Sequence, residues 1–315
     1  MVSILLTIDC DADYFDPSLQ TGSSEQSPTW RGIKEGVPLL NQLFRAYTGS
    51  DGSGCVATWF VRADDQILHH HDVTSYLFHD FRDYWCELSS QGHEIAWHPH
   101  LYKLQGEKWL QETDPNNLKE QMSSSLASIR EAGWKINSSR IGEAYFSNVI
   151  GSELCALAIQ ADSSCLPGRK RVDENRTIDW INSPSIPYHP SKSDYRIPGK
   201  PELPLLEIPF SMLEVKAHYD SVPLMRYLDL SFWHHSIKGG LNDILEENRI
   251  LNTIIHPSTV LTSLSTRPHG LLSFSLTEVR KNLDLIVAIL RERMLEYRFR
   301  TISQIQREIS DAQFK

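Results

Sequence analysis

The chain has 315 residues, about two domains' worth at ~150 residues each, or a single α/β barrel. Lys and Arg number 31 against 40 Asp and Glu, a formal charge of −9 with no long basic run, which argues against a nucleic-acid-phosphate binder. Hydrophobic residues reach 40%, too many for a disordered chain, while the early apolar run Ile4–Ile8 is too short for a membrane span or a signal core.

In chain order, Val2–Ile8 is a short apolar run followed by acids, which predicts a buried strand. Glu35–Tyr47 places Val37, Leu40, Leu43, Phe44 and Tyr47 on one helical stripe, with Pro38 in its first turn. After the turn residues Gly49–Gly54 comes a second strand, Cys55–Val61. Ser75–Ser90 reads as a helix stopped by Gly92, and His93–Trp97 as a third strand. Asp114–Ala132 is a helix with Asp114 as its cap, Pro115 as its first residue and Gly133 after its end. Leu203–Phe210 and Ile250–His256 predict later strands, and Leu276–Tyr297 the longest amphipathic helix. Between positions 165 and 209 lie eight prolines, which predict a long irregular excursion. The strand–helix rhythm continues on both sides of it. One α/β domain, with this segment as an elaborated loop over a barrel mouth, fits better than a linker between two domains.

Five cysteines (Cys10, Cys55, Cys86, Cys155 and Cys165) include no CxxC pair. That disfavours a disulfide framework or a structural zinc site and points to a reducing, cytoplasmic home. The unusual count is 13 histidines, concentrated around positions 69 to 100. In Thr7-Ile8-Asp9-Cys10-Asp11-Ala12-Asp13, alternate side chains of an extended chain share a face, so Asp9, Asp11 and Asp13 can converge. Crowded carboxylates favour a cation, and one of them can then act as a base; the competing reading is an exposed loop with turn-capping aspartates.

In Trp97-His98-Pro99-His100, Pro99 disfavours the α region at His98, so the two imidazoles point the same way and can share a metal. Two histidines and a carboxylate with open positions make a common catalytic zinc or iron site. His256 closes a late apolar strand, either as a general acid or as a histidine before a proline turn. Arg140 can orient a carboxylate through paired hydrogen bonds, or be a surface arginine. His69-His70-His71 has no acid or cysteine at a convincing ligand spacing and reads as ordinary. No GxGxxG, P-loop or GxSxG is present, which lowers the nucleotide-binding and serine-hydrolase readings.

Taken in order, the strand-end acids, Ala57-Thr58-Trp59-Phe60-Val61, Gly92-His93-Glu94-Ile95 through His98, the Arg140 motif, the strand ending at His256 and Phe299-Arg300-Thr301-Ile302-Ser303 resemble the polysaccharide deacetylase (NodB-homology, carbohydrate esterase family 4-like) family. Arg31-Gly32-Ile33-Lys34-Glu35-Gly36-Val37-Pro38 further resembles its formyl-aminoarabinose lipid deformylase branch. The resemblance implies a distorted (β/α) barrel and a metal-dependent hydrolase that removes acetyl or formyl groups from an N-acylated sugar, a small-molecule partner. It also implies a divalent metal, Zn2+ first, with Fe2+, Co2+, Ni2+ and Mn2+ as alternatives. Carried over by motif, Asp9 is the base, Asp11 and His98 are metal ligands, Arg140 holds the base, and His256 protonates the leaving amine. Two positions depart from the pattern. Cys10 separates the two acids, and Tyr102 stands where the second metal histidine is usual, leaving His100 as the substitute ligand. Trp180, Tyr188 and Tyr195 in the proline-rich segment are candidate sugar-stacking platforms. The alternatives are an amidohydrolase of a small non-sugar amide, as in the allantoinase-like and cyclic-imide branches, and a metal-free carbohydrate-binding barrel.

Overall fold

The computed structural model describes residues 1–13, 28–173, 176–247, 249–265 and 270–313. Positions 174 and 175 of the proline-rich segment therefore lie outside the described residues. The architecture is mixed α/β, and the chain divides into two compact units. One contains positions 1–13, 29–59 and 210–301, and the other contains 60–209 and 302–313. The strand Ala57–Arg62 carries the chain from the first into the second.

The first unit is organised by the strand Val2–Cys10, two residues longer than the apolar run predicts and buried along its whole length. Burial on both faces explains why it reads as a continuous apolar run and not as an alternation, as expected of a parallel interior strand. It pairs in parallel with Ile250–Ile255, from Ser3 opposite Ile250 to Ile8 opposite Ile255. Residues Val2–Ile4 also pair with Tyr297–Phe299. The polar residues inside are tied to the ladder: the Thr253 hydroxyl donates to the Leu5 carbonyl at 3.0 Å, and the Thr7 hydroxyl donates to the Thr253 carbonyl. Because the pairing is parallel and in register, Asp9 and His256 leave their strands at the same end.

A π-type turn at Gly32–Gly36 runs into the helix Val37–Phe44. Glycine four residues apart is what lets this segment approach the turn after His256. A Cβ at Gly36 would lie 2.2 Å from the Pro257 carbonyl oxygen, and one at Gly32 would lie 2.6 Å from the Ser258 nitrogen. The long helix covers Leu276–Glu292, buries Val279, Leu283, Ile286 and Leu290, and starts at Ser275 as its cap. It stops short of the expected Tyr297, because Met294 takes a left-handed conformation (φ 53°) and the chain then re-enters the sheet.

In the second unit, Glu94–His98, Ser138–Ser139, Ala161–Asp162 and Leu206–Glu207 line up in parallel in that order. His98, Arg140, Ser163 and Ile208 therefore stand at the ends or just beyond the ends of neighbouring strands. Helix Pro115–Glu131 has the expected start, with Asp114 Oδ1 accepting from the Asn116 and Asn117 backbone N–H groups at 2.9 and 3.1 Å. The expected helix Ser75–Ser90 is broken at Phe81 into Tyr76–Asp80 and Arg82–Ser90. The expected strand Leu203–Phe210 shrinks to Leu206–Glu207, since prolines at 201, 204 and 209 cannot donate to a ladder.

The described part of 165–209 is mostly irregular, as its prolines predict, apart from the strand Leu206–Glu207 and a small hairpin of Lys170–Val172 with Thr177–Asp179. Of its aromatics, Trp180 and Tyr188 are buried and offer no sugar platform, while Tyr195 is half-buried. Trp180 is fully buried and donates to the Ala144 carbonyl, the Tyr188 hydroxyl donates to the Tyr195 carbonyl, and the Tyr195 ring meets Trp180 edge-on at 4.9 Å. They pin the loop to its own unit. Among the described residues, no helix is long and apolar enough to cross a membrane.

Candidate active site

In the first unit the acids at the end of Val2–Cys10 divide into two uses. Asp13 is a helix cap. Its Oδ2 accepts from Arg31 N at 2.7 Å and from the Thr29 hydroxyl at 3.0 Å, and its Oδ1 accepts from Gly32 N at 2.7 Å. Asp13 therefore fits the turn-capping reading and not a reactive cluster. Asp9 is 4% exposed, and the Asp11 N–H folds back onto the Asp9 carbonyl at 2.9 Å, so the chain bends tightly at Cys10. The Cys10 thiol is wholly buried and pushed well above the usual thiol range, by burial first and then by the carboxylates of Asp9 and Asp11.

His256 Nε2 lies 3.7 Å from Asp11 Oδ2. The His256 carbonyl accepts from the Thr259 N–H at 2.9 Å and its hydroxyl at 2.7 Å. The backbone of His256 thus closes the proline turn while its ring faces Asp11. Asp229, which the sequence reading missed, completes this group. It is 1% exposed, and its Oδ1 accepts from Ser231 N at 2.8 Å and Ser231 Oγ at 2.6 Å. Burial raises its carboxyl above the usual range, while the charge of nearby His256 works in the opposite direction. The one signal in the sequence is an acid between Leu228 and Leu230 in an otherwise apolar stretch.

In the second unit, His98 and His100 do converge. Their Nε2 atoms are 3.3 Å apart and both rings are buried. His98 Nδ1 lies 2.7 Å from the Arg140 carbonyl oxygen, which can only accept. The ring hydrogen is therefore on Nδ1, and the Nε2 lone pair faces His100. Two nitrogens bound to one tetrahedral zinc at about 2.0–2.1 Å stand roughly 3.3 Å apart, so this pair has the spacing of two metal ligands. Gly142 makes room for it: a Cβ there would lie 2.1 Å from His100 Cδ2. Tyr102 begins the short strand Tyr102–Gln105 and is buried, its ring 5.9 Å from that of His100.

Asp64, also missed from sequence, supports this side. Its Oδ2 accepts from His100 N at 3.1 Å, and its Oδ1 caps helix Asp65–His71 through Gln66 N and Ile67 N. Arg62 grips it at 2.9 and 3.0 Å in a buried, two-pronged pair. Arg140 is 2% exposed, which removes the surface-arginine reading. Its guanidinium lies 4.3 Å from the centre of the Phe60 ring and donates to the Ser163 carbonyl at 2.8 Å and hydroxyl at 3.0 Å.

No family model matches the chain, and no curated protein matches it in sequence. Solved structures do. A candidate polysaccharide deacetylase from Mycobacterium smegmatis is 16% identical, with 99% of this chain and 91% of that one covered at a TM-score of 0.55. A candidate glycoside hydrolase/deacetylase from Parabacteroides distasonis is 14% identical, covering 97% and 70% at a TM-score of 0.63. The chain has the NodB-like polysaccharide deacetylase fold, as its motif order implies.

Proposed function

We propose that this chain is a divalent-metal-dependent deacylase that hydrolyses the N-acetyl or N-formyl group of an amino sugar. The observation that carries the reading is the His98–His100 pair, with nitrogens at 3.3 Å and the His98 tautomer fixed by the Arg140 carbonyl. The motif resemblance adds Asp11 as the third ligand. A divalent ion held by these residues, zinc first among the candidates, supplies Lewis acidity toward the acyl oxygen and lowers the pKa of a water.

The remaining chemistry belongs to side chains. Asp9 accepts the proton of the attacking water, and Arg140 holds and orients it. His256 delivers a proton to the departing amine nitrogen, and Asp229 stabilises the imidazolium form needed for that step. A backbone N–H near the acidic strand end assists the developing oxyanion. The proximity of Asp229 and His256 supports this division into base and acid.

The test is metal analysis of the purified protein, joined to acetate and formate release from a panel of N-acyl sugars. About one divalent ion per chain is expected, together with activity that a chelator removes and zinc or cobalt restores. A protein without stoichiometric metal, whose activity is unchanged in His98→Ala, rules the reading out. Asp229→Asn is expected to lower kcat by about 100-fold.

A further inference from the structure

A second acidic pair lies in the second unit, outside the machinery just described. Asp162 and Glu207 face each other in register on paired parallel strands, and both are 0% exposed. Asp162 Oδ2 accepts from the Ser139 hydroxyl at 2.6 Å, and its Oδ1 accepts from Ser164 N at 3.0 Å. Glu207 Oε1 accepts from Ser164 N at 3.1 Å and Cys165 N at 2.8 Å. Glu207 Oε2 is buried and has no donor from the protein.

Two carboxylates in this position repel unless one keeps its proton. Burial raises the Asp162 carboxyl as well, while the donors around it, Ser139 and Ser164, favour its ionised form. The bare Oε2 of Glu207 is the natural site for the hydrogen. Burial and the neighbouring Asp162 charge push the Glu207 carboxyl well above the usual range. The other titratable groups facing it are the Cys165 thiol and the Tyr188 phenol, both raised by burial and so neutral. The Arg140 guanidinium is held on Ser163, the residue between Asp162 and Ser164.

The pair fixes more than itself. The Ser164 N–H is shared by Asp162 and Glu207, and its neighbour Ser163 meets Arg140. Ser163 receives the guanidinium and donates from its hydroxyl to the Ile208 carbonyl at 3.0 Å. The Ser164 hydroxyl accepts from Ile141 N at 2.8 Å. The Arg140 carbonyl in turn fixes the His98 ring.

We propose that Glu207 and Asp162 share one proton, and that this neutral–anionic clamp is the positioning element that holds the turn carrying Arg140. The shared proton stands independently of the proposed activity; its consequence for catalysis rests on that reading.

The sign of the pH effect follows from linkage. Unfolded Glu207 ionises near the ordinary value of about 4.3, whereas the folded chain keeps the proton. The folded state then binds more protons above that pH, so this residue's contribution to stability falls as pH rises toward the raised folded value. Glu207→Gln keeps a neutral group that accepts at Oε1 and donates to Asp162, and it removes the slope. The variant's Tm, relative to the native protein, should rise by about 3 °C or more between pH 5 and pH 8. Infrared spectra should show a protonated-carboxyl band at pH 7 in the native protein that is missing from Glu207→Gln. Parallel Tm curves together with no such band overturn the shared proton.

Positioning is read by NMR from hydrogen exchange of the Arg140 Nε–H. Its protection should be lost in Glu207→Ala and kept in Glu207→Gln, with kcat about tenfold lower in the first and restored in the second. Equal protection in both variants overturns the positioning role. If Glu207→Ala does not fold, Asp162→Asn replaces it in the exchange measurement. If the native protein releases no acyl group, the proposed function fails, while the infrared, Tm and exchange measurements still decide the clamp.

Discussion

Two stretches of the second unit carry neighbouring histidines, and their rings are set in different surroundings. His69, His70 and His71 end the helix Asp65–His71, where the His69 and His70 rings meet edge-on at 4.9 Å. His69 meets Trp109 edge-on at 5.6 Å, and His71 stacks on Tyr76 at 3.8 Å. Burial holds His70 and His71 below the usual imidazole range. His98 and His100 stand around a strand end with a proline between them, and their Nε2 atoms are 3.3 Å apart. Histidine density is therefore a poor guide to a metal site; the backbone conformation under the spacing decides.

Substitutions can break that contrast, and the largest effect belongs to the pair. His98→Ala or His100→Ala should drop bound zinc from about one per chain to almost none, and acyl release by about 100-fold or more. His69→Ala and His70→Ala should leave both within about twofold. Equal losses in the two stretches would erase the distinction.

A smaller effect tests whether geometry, and not merely the presence of two imidazoles, matters. Gly142→Ala keeps both histidines but puts a methyl group 2.1 Å from His100 Cδ2, so the ring must move. Zinc affinity measured by competition with a chelator should fall about tenfold, with the circular dichroism spectrum unchanged. The smallest effect is His71→Ala. Loss of its stack on Tyr76 should cost about 0.5–1.5 kcal/mol in urea unfolding without altering metal content.

Much of this was legible in the sequence, for identifiable reasons. Val2–Cys10 announced itself through an apolar run, helix Pro115–Glu131 through an Asp-Pro start, and His98 with His100 through the proline between them. Asp64, Asp229, Asp162 and Glu207 were not legible. Asp229 and Glu207 stand among apolar residues, but an acid there reads as a strand-edge or turn residue until folding shows that all four are buried. The aromatics of the proline-rich segment misled for the opposite reason. A tryptophan or tyrosine in a loop looks the same in sequence whether it stacks on a sugar or locks the loop down, and here Trp180, Tyr188 and Tyr195 lock it.

The residue between the two strand-end acids has a practical consequence. Cys10 is sealed from solvent and held as the thiol, so it offers no soft sulfur ligand to an ion and no thiolate to an electrophile. In the proposed function, a zinc ion held by oxygen and nitrogen alone would not depend on a thiolate. Iodoacetamide should mark the exposed Cys86 first and leave the proposed acyl release untouched.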